Sequence, residues 1–465
     1  MPEKRWVNSL KLALPASRMC DRCNSNSSFS SPPLAKAACN IPAAATLTVH
    51  GQTPSANPFA TMDTSPLPLP PADIGGAMPH KKTPDGHTQA LHLNYVRGRT
   101  DPQQEAELAH LRFFVSVAKT LGLQLRILTE RENRSDVEQE LRNEPCWEMP
   151  YPIFESSHPI TKWAEDGIEY LENGHIAVPP EFDPQRLNEA MKVGRRDRWH
   201  GKVSQETLEA ALEDDHLWIP LGVRINSSET GVALKSLATA EERDVGHLRA
   251  YIEGGNMIAG EDATGTPILL IGKDAIDATA HLYQITDDQV REIIREDFGL
   301  ATRDQIICVE QPGQFHLDLG LLFLGNGVVV LNNSHAALED AIEMAEAVPC
   351  LTTKTTAAKL TLQHELEEDA ARDLQTAGIT VIRKKLEDNV AFNFFNGEFV
   401  TGKNGLNYYI TNGASPEEEQ RFKALMVDDW NIVADVLFSP IAAAQRSLQE
   451  LGGVGCRAKG CPDGV

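Results

Sequence analysis

A mixed α/β architecture, with strands running in both directions, is what this 465-residue sequence predicts. Three observations predict it. Helix-period and strand-period segments interleave along most of the chain. Some strand pairs are joined by short glycine-rich turns, as in hairpins, while others are separated by a helix, as in crossovers. No G-x-G-x-x-G follows a strand, so a doubly wound nucleotide-binding sheet is not spelled.

Residues 1–90 stand apart. They hold 13 of the 28 prolines and nine serines, with eight basic side chains against five acidic. Stretches such as 25–33 and 65–71 have no apolar period, and such a segment cannot bury enough surface to offset its ordering entropy. The expectation is a disordered tail over 1–90, basic and Ser-rich as a targeting segment would be, and a folded body over 91–465. The tail then carries +3 and the body −26 of the net −23.

An acidic body excludes partners held through phosphates, so neither nucleic acid nor an anionic membrane surface is expected. It suits a small cationic ligand. No apolar run of membrane-spanning length occurs. The eight cysteines spell no disulfide framework, and Cys20 and Cys23 form a C-x-x-C with no second ligand pair, so no metal site is expected. A cytoplasmic, reducing compartment is the default, with organelle targeting or secretion through the tail as the alternative.

Within the body, Leu108, Leu111, Val115 and Ala118 share one helical face over 102–121, and Gly122 stops it. Leu123, Leu125 and Ile127 alternate as a strand. Thr286 and Gln289 spell a capping box ahead of a helix that Gly299 closes. Strand 305–309 follows, then a hairpin of 319–324 with 328–331 around Gly325-Asn326-Gly327. Ser415, Pro416 and Glu418 start a helix; 432–438 reads as a strand and 440–451 as a helix.

Three segments carry residue types suited to chemistry. Glu253-Gly254-Gly255-Asn256 places a carboxylate at the end of an apolar strand, before two glycines that allow a sharp turn or a close ligand. Its bland reading is a strand-ending turn. His316-Leu317-Asp318 places an imidazole and a carboxylate on one side of a strand, where they would share a site and move protons; otherwise they are an exposed pair. Gly452-Gly453-Val454-Gly455-Cys456 sets a thiol in a glycine-rich turn, where exposed surroundings suit a reactive cysteine. The alternative is an incidental cysteine in a frayed terminus, which Cys461 nearby makes respectable.

In this order and spacing, the three segments resemble the guanidine-modifying enzymes called penteins, over roughly 150–465. The resemblance implies a five-bladed α/β propeller of ββαβ-type modules and a guanidine deiminase that needs neither metal nor organic cofactor. Its catalytic set would be Cys456, His316, Glu253 and Asp318. Asp166, Glu253, Asp318 and Asn256 would bind a small cationic guanidine or an arginine side chain. The upstream aspartate role passes to Asp166 in Trp163-Ala164-Glu165-Asp166, although Glu165 stands where the family has Arg; Asp214 and Asp215 are the fallbacks. Arg457-Ala458-Lys459 also departs from the usual Cys-x-Thr. An amidinotransferase would use the same residues and pass the amidino group to an amine. A non-catalytic binding protein on the same scaffold is the alternative from another class. A papain-type hydrolase fails on layout, because it places its cysteine early and its histidine late.

Overall fold

The computed structural model describes residues 65–143, 151–156, 159–180, 182–213, 244–312, 316–388 and 391–462. Five sheets repeat one plan: two antiparallel strands, a helical crossover, and a third strand parallel to the second. The third sheet shows it plainly. Met257–Glu261 pairs antiparallel with Pro267–Gly272, and helices Lys273–Tyr283 and Asp287–Asp297 lead to Ile306–Val309, parallel to the middle strand. The second sheet is built from Glu169–Tyr170, Ile176–Val178 and Val245–His247. The fourth is built from Leu321–Gly325, Val328–Asn332 and Thr380–Lys384. The fifth is built from Gly397–Thr401, Asn407–Thr411 and Asp435–Phe438. In the first sheet the hairpin partner comes from far along the chain: Ala458–Cys461 lies antiparallel to Ala90–Tyr95, which runs parallel to Gln124–Glu130. Ile153–Ser156 adds a fourth strand there.

Local sequence explains the elements. Thr100 caps helix Asp101–Leu121, and Gly122 ends it at φ 74°. Thr286 and Gln289 form the expected capping box, and Ser415 caps Pro416–Ala424. The 325–327 hairpin turn has positive φ at all three residues, which Gly-Asn-Gly tolerates.

Alternation then sorts the core. Ile258, Ile268 and Leu270 face one side of the third sheet and pack with Leu321 and Val329 of the fourth. Met257, Leu269 and Ile271 face the other side and pack with Leu171 and Ala177 of the second. Leu322 and Val330 join Phe399 and Tyr409; Val400 and Ile410 join Leu91 and Leu125; Ala90 and Leu128 join Tyr170 and Ile176. Each sheet thus shares a core with its neighbours, and the fifth shares one with the first. Strands buried on both faces explain the continuous apolar run 268–271.

The tail boundary expected at 90 falls too late. Ile74 is 1% exposed and packs against the second and third sheets. Pro79 bridges to Leu171, and the Thr88 carbonyl accepts from Thr401 N–H at 2.6 Å. A segment without its own periodicity is ordered here because sheet edges satisfy its backbone. Residues 1–64, with Cys20 and Cys23, lie outside the described residues, as do Asp214 and Asp215. Among the described residues no helix is long and apolar enough to cross a membrane.

Candidate active site

Three sequence expectations about local structure are corrected. Glu253 does not end a strand: a 3-10 turn, Gly254–Asn256, follows it and leads into strand Met257–Glu261. His316 and Asp318 are not successive same-face positions of a strand, because Leu317–Leu319 is a 3-10 turn and the strand begins at Leu321. Buried Leu317 anchors that turn. Cys456 is not on an exposed, flexible terminus. It sits in the short helix Val454–Arg457 at 3% exposure, because the strand that follows pairs with Ala90–Leu93.

The structure nevertheless brings five of the expected residues together. His316 Nε2 lies 2.8 Å from Glu253 Oε2, and His316 Nδ1 lies 3.6 Å from Asp166 Oδ1. Asn396 ties the remaining two: its Nδ2 donates to Asp318 Oδ2 at 2.8 Å and to Cys456 Sγ at 3.1 Å. Its Oδ1 accepts from the Cys456 N–H at 3.1 Å. Tyr251 Oη donates to Glu253 Oε1 at 2.7 Å.

The glycines are needed for this approach. A Cβ at Gly255 would overlap His316 Nδ1 and meet Asp318 Oδ1, and one at Gly453 would overlap the Asn412 amide. Asn256 does not join the group: its side chain lies against Gly272, and its N–H bonds back to the Glu253 carbonyl at 2.8 Å. Cys461 is fully buried with Ala90 and Leu128 and is not at the site.

The site is a crowd of buried charge. Burial alone would depress the His316 pKa, but Asp166, Glu253 and Asp318 around it raise it to about 9. Burial raises Asp166 to about 7; His316 opposes this, and Glu253 and Asp318 add to it. Burial, with the negative charges of Asp318 and Asp166, pushes the Cys456 thiol well up. Asp166 Oδ1 and Asp318 Oδ1 are buried carboxylate oxygens without a hydrogen-bond donor. Among the described residues no cluster of His, Cys, Asp or Glu could hold a metal ion.

The two departures from the family spelling meet each other. Glu165, where the family has Arg, is ion-paired with Lys459, which follows the thiol, at 3.2 Å. Arg457, the other unexpected residue, is buried against Glu107.

A solved structure assigned as an agmatine deiminase aligns over 84% of this chain and 97% of its own, with a TM-score of 0.56 at 11% identity. The chain has the pentein fold. DDAH from Pseudomonas aeruginosa, a cysteine-to-serine variant bound to citrulline, aligns over 80% of this chain and 98% of its own at 10% identity and a TM-score of 0.38. An arginine dihydrolase from cyanobacteria aligns over 81% of this chain and 39% of its own length at 11% identity and a TM-score of 0.33. No family model matches the chain, and no curated protein matches it.

Sequence reasoning missed the contacts of Asn396 and Tyr251. The only signal for Asn396 was a pair of asparagines, Asn393 and Asn396, just before Gly397 at a strand entry.

Proposed function

We propose that this pentein-fold chain is a guanidine deiminase and that its five modules form a closed α/β propeller around the site. The observation that carries the reading is the pair of donor-less buried carboxylate oxygens, Asp166 Oδ1 and Asp318 Oδ1, beside a buried thiol and a His–carboxylate pair. Leaving such oxygens unpaired costs free energy, and a planar cation with several N–H groups satisfies them by charge-assisted hydrogen bonds.

The groups then divide the chemistry. Asp166 and Asp318 bind the guanidinium and fix its plane. The positive substrate lowers the Cys456 pKa, which burial, Asp318 and Asp166 keep high, so the thiol gives its proton to solvent and the thiolate forms when there is something to attack. Sγ bonds to the central carbon, and the C–N bond to the leaving amine breaks. His316, protonated at neutral pH, gives that amine its proton while Glu253 holds the imidazolium. Neutral His316 next takes a proton from water. The resulting hydroxide attacks the amidino-thioether carbon and expels the Cys456 thiolate, leaving a ureido product.

The test is a colorimetric assay for ureido product with arginine, agmatine, dimethylarginine and a peptidyl arginine, on wild type, Cys456→Ala and Cys461→Ala. Activity should survive Cys461→Ala and vanish in Cys456→Ala. Turnover by Cys456→Ala would overturn the nucleophile assignment. Product on none of the four would favour a binding protein on this scaffold.

A further inference from the structure

Two lysines stand behind the reacting groups, Lys459 buried and Lys82 half-buried. Lys82 Nζ donates to the backbone carbonyls of Gly254 at 2.6 Å and Met257 at 3.0 Å, and pairs with the Glu165 carboxylate. Lys459 Nζ reaches Glu165 at 3.2 Å and Glu169 at 2.6 Å. Glu165 joins the segments: its N–H donates to the Cys456 carbonyl at 3.2 Å, and its own carbonyl presses on Gly254 so closely that no Cβ fits there. The Asp166 segment, the 253–255 turn and the Cys456 turn therefore share one ammonium–carboxylate–ammonium clasp. Lys82 comes from residues 74–88, and its N–H is fixed to the Ala259 carbonyl at 3.3 Å.

We propose that Lys82 is a positioning residue of the candidate site: its ammonium fixes the 253–255 turn and sets the negative field in which Asp166 and Asp318 would meet a cation. This rests on the guanidine reading above. The charged groups acting on Lys82 are Glu165, Glu169, Asp318 and Glu398, with Lys459 opposing. Burial and Lys459 bring Lys82 down to about 8, while Lys82 draws Asp166, Asp318 and Glu398 toward ionisation. Without it, Asp166 and Glu398, which stand at about 7, would take up protons more readily, and the site would lose charge that captures its substrate.

The test does not require turnover. Each protein is treated with 2-chloroacetamidine, a cation, and separately with iodoacetamide, which is neutral, and the rate of alkylation at Cys456 is read by peptide mass. In each case the sulfur bonds to the methylene carbon and halide leaves. The ratio of the two rates reports the field at the thiol. Lys82→Met should lower the cation preference about tenfold at pH 7, with recovery toward pH 9 as the carboxylates ionise. Lys82→Arg should keep the wild-type ratio. Should Lys82→Met fail to fold, Lys82→Gln, which keeps a donor without the charge, carries the same expectation. A wild-type ratio in the uncharged variant overturns the proposal. So does a loss equal at every pH, which would mean packing alone. A chain inactive on every guanidine would sink the deiminase reading, yet the alkylation ratio would still decide the role of Lys82.

Discussion

Asp274 and Asp166 are both almost completely buried, at 1% and 4% exposure, and their surroundings treat them oppositely. Asp274 is gripped by Arg195 and Arg198, with Arg195 Nε at 2.7 Å and Arg198 NH2 at 2.5 Å. Burial would raise its pKa, but the two guanidinium groups outweigh it and hold the carboxyl below its usual value. Asp166 has no arginine. Burial, with Glu253 and Asp318, outweighs His316 and Lys82, and its carboxyl stands at about 7. One aspartate is bound by arginines of its own chain; the other has the environment that an arginine-like ligand would complete. The difference teaches that a buried acid points to function when no guanidinium of its own chain holds it and like charges crowd it.

The sharpest way to break that comparison is to neutralise both. Asp166→Asn should lower kcat/KM by about a thousandfold or more, since it removes charge that pairs with the cationic transition state, while the urea midpoint holds or rises. Asp274→Asn should do the reverse: it strands the buried Arg195 guanidinium, while Arg198 keeps Glu310 and Asp277, costing about 3–5 kcal/mol of stability, with kcat retained by the folded fraction. Swapped outcomes would refute the assignment. Next in size is Gly255→Ala, whose Cβ overlaps His316 Nδ1. Displacing a group that hands over a proton should cost about a hundredfold in kcat in steady-state assays. Asn396→Ala frees both Cys456 and Asp318 and should cost about tenfold, the worth of hydrogen bonds to charged partners.

The smallest effect sharpens the comparison instead. Asp166 must be ionised to bind a cation, so kcat/KM should rise as pH passes about 7. His316 must be protonated to release the amine, so kcat/KM should fall as pH passes about 9. In Asp166→Asn the lower limb should disappear from the pH–rate profile and the upper one remain.

How much of this was legible depended on range. Caps such as Thr286 with Gln289, and the Gly-Asn-Gly hairpin, are local and could be read directly. Glu253, His316, Asp318 and Cys456 were legible because their segments are spelled contiguously and in a recognisable order. The five-fold repeat was not legible from periodicity, because the crossovers differ too much in length, with 28 residues between Tyr95 and Gln124 but 66 between Val178 and Val245. Lys82 was hidden because its Pro-rich stretch has no period, and it gains order only from sheet edges that the sequence cannot show. The burial of Cys456 was not expected for a similar reason: nothing nearby reveals that Ala458–Cys461 forms a strand beside Ala90.

That pairing has a consequence for assembly. Ala90 and Cys461 are partners in a ladder although they lie about 370 residues apart, a separation whose loop-closure entropy makes contact late. Cys456 rides on the helix leading into this strand, so the thiol reaches the carboxylates only when the first sheet is joined. A chain in which that ladder is unpaired holds its carboxylates without the thiol beside them, so the candidate site is complete only when both ends of the described body are joined.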